Sequence, residues 1–418
     1  MNKKIYYLDN AATTPVDQRV VDAMLPYFNE NYGNPGSMHS KGLEGQIALD
    51  DSREKIAKNL GCTPEEIIFT GSGTESINMA IKGVTHFLKT KMKKGNHIIT
   101  QKSEHHAVLD TCEFLEKEGY EVTYLEVDRY GLINLDDLKK AFRKETTLVS
   151  IMYVNNEIGT VQPIKEIAQI CKENKVLFHT DACQASGYMD INVKNLGVDL
   201  LSLNGSKVYG PKGIGLLYIR KGIMLTPLIH GGGQERRLRS GTENIPSIVG
   251  FAKALEIAEK EKKSESERLT KLSKKLTDGI LTTIPKAFLN GHPTKRVPNN
   301  VNISVLDVEG EAILLHLDEE GICISTGSAC TSKTLDPSHV ILATGLPYEA
   351  AHGSLRFTLG RTTTEEVIDK ILNVLPRVVK EMRDLSPVNL NAKDFKEYLS
   401  EENKKISLDM EVSRRYGK

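Results

Sequence analysis

The chain of 418 residues lacks a long apolar run, a net charge and tryptophan, and the first two absences exclude broad classes of protein. No apolar run is long enough for a membrane-spanning helix or a signal peptide, so we expect no membrane association. The formal net charge is zero, which gives no overall field favouring nucleic acid, and we expect no direct nucleic-acid binding. Tryptophan is absent, which decides nothing about function.

Cysteine is sparse and unpatterned. The chain has six cysteines, and none forms a CxxC pair or a zinc-like cluster: Cys62, Cys112, Cys171, Cys183, Cys323 and Cys330. In a chain of this length the pattern indicates reduced thiols in a cytoplasmic protein. We therefore predict neither disulfides nor a metal site.

Short buried strands alternate with helical segments over the first half of the chain. Apolar runs predict strands near Ile67–Thr70, His97–Thr100, Val122–Leu125, Leu148–Met152 and Val176–His179. Repeated strand–helix units predict an α/β fold with a mainly parallel central sheet flanked by helices. Ligands of such sheets bind at the carboxyl ends of the strands, where the candidate chemical residues fall.

The pattern changes near Gly250. Phe251–Ile280 predicts one long charged helix, and Val301–Val305 alternates like a strand with one exposed face. We expect a large domain over residues 15–255, a smaller α+β domain over residues 1–14 and 256–386, and a charged tail over 387–418.

Lys207 is the centre of the most unusual stretch, SLNGSKVYGPKGIG at residues 202–215. Buried strands are predicted on both sides, so Lys207 would lie on a tight connection where its amine is partly desolvated. Desolvation lowers the pKa of an amine and makes it a nucleophile toward carbonyls. A lone lysine in a loop would more often be a surface residue.

Gly73 and Thr74 lie where a strand passes through small residues into a helix. Free N–H groups and the helix dipole at such a junction can bind a phosphate. The loop is neither a Walker loop nor a GxGxxG fingerprint, and an ordinary capped helix is about as plausible.

An aldehyde cofactor with a phosphate and a pyridine ring needs a lysine, an anion cradle, a carboxylate at the ring nitrogen and a flat group for stacking. Asp181 could supply the carboxylate, Gln184 could reach the ring hydroxyl, and His105 could stack. Taken singly, Asp181 would more often be a cap and His105 a structural histidine.

Taken together, the sequence resembles the cysteine desulfurases of the NifS/IscS type, in the class V aminotransferase branch of the fold-type-I pyridoxal-phosphate enzymes. The resemblance extends from Tyr7 to about Pro387. It rests on these stretches: YLDNAATTP (7–15), GNPGS (33–37), GTES (73–76), SEHHAV (103–108), VNNEIG (154–159), HTDACQASG (179–187), KVYGPKGIG (207–215), HGGGQERRLRSGT (230–242), STGSACTS (325–332) and LRFTLGRTTTEEVI (355–368).

The resemblance implies a role for each matching residue. Lys207 would bind pyridoxal 5'-phosphate covalently and move the α-proton, and Cys330 would take sulfur from L-cysteine as a persulfide. The cofactor would further be held by Gly73, Thr74, His105, Asp181, Gln184, Asn204, Ser206 and, across a homodimer interface, Thr242. Asn156 and Arg356 would bind the substrate carboxylate. The persulfide would supply a scaffold for iron–sulfur clusters or a carrier for thio-modification of tRNA.

One departure concerns the residues before Lys207. The family usually has Ser-x-His-Lys, whereas this chain has Asn204-Gly205-Ser206-Lys207. The histidine's charge is lost, so we expect weaker retention of the cofactor. The alternatives are a selenocysteine lyase on the same scaffold or a non-enzymatic scaffold for sulfur transfer. The retention of Lys207, Asp181, Arg356 and Cys330 argues against the second.

Overall fold

The computed structural model describes residues 4–327 and 337–385. Its strands are β1 (Tyr6–Tyr7), β2 (Ile67–Thr70), β3 (His97–Gln101), β4 (Glu121–Leu125), β5 (Thr146–Ser150), β6 (Leu177–Asp181), β7 (Leu200–Asn204), β8 (Gly215–Ile219), β9 (Ala287–Leu289), β10 (Asn300–Val305), β11 (Ile322–Cys323) and β12 (Ser354–Thr358).

The helices are α1 (Gln18–Met24), α2 (Pro26–Asn29), α3 (Ser40–Leu60), α4 (Gly73–Asn78), α5 (Val84–Thr90), α6 (His106–Lys117), α7 (Leu135–Ala141), α8 (Ile164–Glu173), α9 (Val193–Leu196), α10 (Ile245–Thr283), α11 (Gly310–Glu319), α12 (His339–Ala343), α13 (Tyr348–His352) and α14 (Glu365–Leu385). Short 3-10 helices cover Pro64–Glu66, Gly205–Lys207 and Glu235–Arg237, and a π-helical turn at Met79–Gly83 joins α4 to α5.

The central sheet has seven strands in the order β2-β8-β7-β6-β5-β3-β4. Only β8 runs antiparallel to its neighbours, so the predicted mainly parallel α/β fold is confirmed. The strands are buried because helices cover both faces, which explains their continuous apolar runs. The carboxyl ends of β6 and β7 therefore open at one edge of the sheet.

A smaller sheet, β12-β10-β9, lies in the second half of the chain, and β1 pairs with β11. The first half of α10 packs into the core of the large sheet through residues such as Phe251. Its second half packs into the core of the small sheet through Leu269 and Leu276. The domain boundaries at residues 15, 255 and 386 stay a prediction.

The expected exposed face of the strand at 301–305 is wrong, because every residue of β10 is buried. Its alternating polar residues make hydrogen bonds in the interior. Asn302 donates to the carbonyl of Glu157 at 3.0 Å, and the hydroxyl of Ser304 donates to the carbonyl of Ala350 at 2.7 Å. The alternation of polar and apolar residues along β10 therefore reflects buried, hydrogen-bonded polar groups and not a face exposed to solvent.

Candidate active site

A cavity of about 260 Å³ opens at the carboxyl ends of β6 and β7. Loops after several strands converge there, as expected for an open α/β sheet. Seventeen residues line it: Ala11, Ala12, Gly73, Thr74, Ile77, His105, His106, Met152, Asn156, Glu157, Asp181, Cys183, Gln184, Asn204, Lys207, His339 and Arg356.

Lys207 lies at the end of the 3-10 turn that follows β7. Its Nζ donates to the carbonyls of Ala11 at 2.8 Å and Ala12 at 2.6 Å. The same N-terminal segment is fastened to the turn because Thr14 donates to the carbonyl of Ser206 through its N–H at 2.8 Å and its hydroxyl at 3.0 Å. These contacts hold the ammonium group at the cavity wall.

Asp181 is the last residue of β6 and is 6% exposed. Its Oδ1 accepts the N–H of Cys183 at 3.0 Å, which orients the carboxylate. The amide of Gln184 donates to the Ala11 carbonyl at 2.9 Å, the same oxygen that Lys207 contacts. The buried carboxylate of Asp181 and the cation of Lys207 therefore line the same cavity. This arrangement suits a ligand that carries both charges.

His105 caps the N-terminus of α6, and its Nδ1 accepts the N–H of Ala107 at 3.0 Å. Burial lowers its pKa, with Asp181 opposing that effect. A neutral ring that accepts at Nδ1 carries its proton on Nε2. The uncharged, oriented imidazole is suited to lying against an aromatic ligand.

Gly73 begins α4 in close contact with two cavity residues. A Cβ at this position would lie 2.8 Å from Cys183 Sγ and 3.2 Å from Asn204 Cβ. Only glycine brings the helix start this close to the strand ends, and it leaves Thr74 exposed at the cavity. Burial raises the pKa of Cys183 well above its usual range, which disfavours the thiolate that a nucleophile needs.

Arg356 on β12 is 2% exposed and pairs with Asp9, whose Oδ1 lies 2.9 Å from Nη2. Its Nη1 donates to the carbonyls of Asn156 at 3.3 Å and Gly327 at 3.4 Å. Two buried polar atoms here have no partner within the described part of the chain, Arg356 Nε and Asn156 Oδ1. Because such atoms are costly to leave unpaired, they indicate a place for a polar ligand.

Two predicted site residues, Ser206 and Thr242, do not line this cavity among the described residues. Its lining does include Asn204 and Lys207. Ser206 is buried with its hydroxyl 3.5 Å from Asn204 Oδ1, and Thr242 is exposed. Cys330 lies outside the described residues.

Sequence reasoning missed four polar cavity residues or partners: Asp9, His106, Glu157 and His339. Asp9 and Glu157 stand inside motifs that were recognised, YLDNAATTP and VNNEIG, so their positions gave a signal. The rings of His106 and His339 contact each other with centroids 4.6 Å apart. This contact joins α6 to α12, and spacing along the chain does not predict it.

The residues present fit pyridoxal phosphate. The cavity offers an amine on Lys207, a buried carboxylate on Asp181 and a helix start at Gly73 that approaches closely because it lacks a Cβ. The unpartnered Asn156 Oδ1 and Arg356 Nε leave polar capacity for an amino-acid substrate beside it. These are the groups that such a cofactor and its substrate require.

Comparison with known proteins agrees with the site. Residues 6–371 match the family described as Aminotransferase class-V. The chain is 54% identical over 385 residues to cysteine desulfurase IscS of Methanosarcina thermophila, covering 92% of this chain and 94% of that protein.

Solved structures with this fold include a NifS-like protein, with a TM-score of 0.84, 39% identity and coverage of 90% of this chain and 100% of that one. Another is SspA in complex with cysteine, with a TM-score of 0.75, 38% identity and coverage of 84% and 98%.

The chain therefore belongs to the class V aminotransferase family of fold-type-I, pyridoxal-phosphate-dependent enzymes. Within that family it is a cysteine desulfurase of the NifS/IscS type.

No helix in the described ranges is both long enough and apolar enough to cross a membrane.

Proposed function

We propose that Cys330 is the nucleophile of this desulfurase and that Lys207, Asp181, Asn156 and Arg356 prepare the substrate for it. One observation carries the proposal: an amine, a buried carboxylate and a buried guanidinium meet in one cavity beside an unpartnered amide oxygen. The net reaction converts L-cysteine and the Cys330 thiol into L-alanine and a Cys330 persulfide.

Lys207 would attach pyridoxal phosphate through Nζ and, once displaced by substrate, would take and return protons there. When bound, this cofactor supplies an electron sink for the bonds that break at the substrate's α and β carbons. The carbonyls of Ala11 and Ala12 would hold the displaced ammonium group within the cavity, because both already contact Nζ.

Asp181 would face the ring nitrogen, Gln184 the ring oxygen, and the neutral His105 the ring face. The start of α4 at Gly73 and Thr74 would hold the phosphate, with Asn204 and Ser206 nearby. Support comes from the burial of Asp181 and from the close approach at Gly73.

Arg356 would bind the substrate carboxylate together with Asn156. A guanidinium suits this because it presents several N–H donors in a fixed plane. Asp9 takes one of the two N–H groups of Nη2, so Nε and the second N–H of Nη2 are left as donors for the substrate. The Asn156 side chain supplies a second polar contact.

In the sulfur-transfer step the Cys330 thiolate would form a bond to the substrate sulfur while the Cβ–S bond breaks. The electron pair of that bond remains with the substrate's carbon skeleton, which takes a proton at Cβ and leaves as alanine. A second thiol or an acceptor protein then removes the outer sulfur. We propose an iron–sulfur scaffold or a sulfur carrier as that acceptor, with the whole process in the cytoplasm.

The protein would act as a homodimer in which Thr242 of one protomer reaches the partner's phosphate site. Large apolar side chains are exposed over one stretch near the N-terminus, namely Leu25, Phe28, Tyr32, Met38, Leu43 and Ile47. Such a group of exposed apolar side chains supports a protein–protein interface at this surface. A second copy of the chain is the simplest partner for it.

The test is to measure alanine and sulfide released from L-cysteine by the holoenzyme with a thiol reductant, beside Cys330→Ala. Equal release of both products, lost in the variant while the cofactor absorbance is kept, supports the assignment. An active Cys330→Ala enzyme would exclude Cys330 as the nucleophile. Preference for selenocysteine over cysteine with Cys330→Ala still active would favour a lyase.

A further inference from the structure

Glu157 is a buried carboxyl group in the cavity wall that the proposed reaction does not use. It is 1% exposed and lines the cavity next to Asn156. Its Oε2 accepts a hydrogen bond from the hydroxyl of Ser338. Burying a carboxyl group this deeply destabilises the folded state unless the group is hydrogen-bonded or paired with a charge.

The backbone of Glu157 is fixed on three sides. Its N–H donates to Asn155 Oδ1 at 2.9 Å, and its carbonyl accepts from Asn300 Nδ2 and Asn302 Nδ2, each at 3.0 Å. All three asparagines are buried. The carboxyl group therefore stands on a rigid base formed by the loop after β5 and by strand β10.

Glu157 meets both ends of the segment that carries Cys330. Gly327 precedes residues 328–336, and Ser338 follows them and caps α12 by accepting the N–H of Ile341 at 3.2 Å. A Cβ at Gly327 would lie 2.6 Å from Ser338 Cβ and 3.3 Å from Glu157 Oε2. Gly327 and Ser338 thus lie close together, and Glu157 bonds Ser338 to the cavity wall.

Gly327 is tied to the substrate site as well. Its carbonyl accepts from Arg356 Nη1 at 3.4 Å, and its N–H donates to Ser354 Oγ at 3.3 Å. Gly327, the last described residue before the Cys330 segment, therefore contacts the guanidinium proposed to bind the substrate carboxylate. A shift at this point would move the nucleophile relative to the substrate.

We propose that Glu157 is a positioning residue for sulfur transfer: its hydrogen bond to Ser338 fixes the base of the Cys330 segment against the substrate cavity. The inference rests on the proposed role of Cys330. A nucleophile must come within about 3.5 Å of its target, and a misplacement of about 1 Å can cost about 100-fold in rate. Contacts at the base of the segment therefore bear on kcat more than on substrate binding.

The experiment compares Glu157→Ala with Glu157→Gln in the cofactor-loaded enzyme, following alanine formation from L-cysteine. Removing the carboxyl group should lower kcat by about 10- to 100-fold and change KM by less than about threefold. Glutamine keeps an oxygen that can accept from Ser338, so Glu157→Gln should stay within about threefold of the wild type. Its pH–rate profile should match the wild type.

Ser338→Ala supplies an independent check, because it removes the other half of the contact. It should lower kcat, and Glu157→Ala/Ser338→Ala should be no slower than Glu157→Ala alone, since the two residues share one interaction. Cofactor absorbance and the thermal midpoint show that each variant is loaded and folded. If Glu157→Ala fails to fold, the kcat values of Ser338→Ala and Glu157→Gln still test the proposal.

Two results would overturn the proposal. Glu157→Ala or Ser338→Ala with wild-type kcat would show that the contact does not position the nucleophile. Glu157→Gln as slow as Glu157→Ala, with an altered pH–rate profile, would show that the carboxylate itself moves a proton. Activity in Cys330→Ala, in contrast, would reject the role of Cys330 and, with it, the positioning role of Glu157.

Discussion

Asp9 Oδ1 lies 2.9 Å from Arg356 Nη2, which joins the N-terminal segment to strand β12 across almost the whole length of the chain. The arginine is 2% exposed, and its remaining contacts are with backbone carbonyls. Asp9 is thus the carboxylate that balances the guanidinium when no substrate is bound.

Asp9→Ala should destabilise the substrate-free protein by about 3 kcal/mol, because it leaves a buried charge unpaired. Asp51→Ala is the matched control, since its ion pair with Lys55 is about half exposed and should contribute less than about 1 kcal/mol. Unfolding in urea measures both. Equal effects of the two substitutions would contradict the pairing argument.

Arg356→Lys should raise KM for L-cysteine by about 100-fold, with a smaller loss in kcat. Lysine carries the charge but cannot bond Asp9 and the substrate carboxylate at once with fixed geometry. Steady-state kinetics of alanine formation with the loaded enzyme gives the two constants separately. An unchanged KM would place the substrate carboxylate elsewhere.

Gly73→Ala should weaken cofactor binding and destabilise the protein by about 1–3 kcal/mol, because the methyl group would meet Cys183 Sγ at 2.8 Å. Gly233→Ala is a suitable control, since a Cβ there meets nothing within 4 Å. Equilibrium dialysis with pyridoxal phosphate and thermal unfolding report the two effects. If the two variants behave alike, the close approach at Gly73 is unimportant.

Ser206→His should tighten retention of pyridoxal phosphate by about fivefold. It restores a group that can be positively charged beside Asn204, which lines the cavity, and we expect an ion pair with the phosphate to contribute about 1 kcal/mol. The rate of cofactor loss on dilution, followed by absorbance, is the measurement. A rate equal to that of the wild type would mean that this departure from the family pattern has no effect on the cofactor.

His179 should make the stability of the protein depend on pH. Its Nδ1 and Nε2 lie 2.8 Å from Ser150 Oγ and 2.9 Å from Ser202 Oγ, and burial lowers its pKa from 6.5 to about 4. The unfolded chain then binds a proton that the folded chain excludes between these pH values. The contribution is present above pH 6.5 and is lost as the pH falls toward 4, about 3 kcal/mol in all.

The measurement is the free energy of unfolding at pH 7.5 and pH 5 for the wild type and His179→Asn. The wild type should lose about 2 kcal/mol more than the variant over this interval. Parallel losses in the two proteins would assign the acid sensitivity to other groups.

The sequence by itself determined the α/β class and placed most of the polar residues that line the cavity at strand ends. Apolar runs placed the strands of the central sheet, because buried parallel strands are apolar on both faces. Lys207, Asp181 and His105 could be placed near one another because each lies at or after the carboxyl end of such a strand, and these ends meet at one edge of the sheet. The family motifs added the residues that spacing alone left open.

Only the tertiary structure decided contacts between segments far apart in the chain. The pairing of Asp9 with Arg356, the contact of Glu157 with Ser338 and the hydrogen bond from Asn302 of β10 to Glu157 each join residues far apart in the sequence. Alternating Asn302 and Ser304 resembled an exposed face, because period-two polarity does not say whether a polar group meets water or another buried polar group. The hydrogen-bond partners of Asn302 and Ser304 depend on how the segments pack together in the folded protein, which the sequence pattern of one strand does not show.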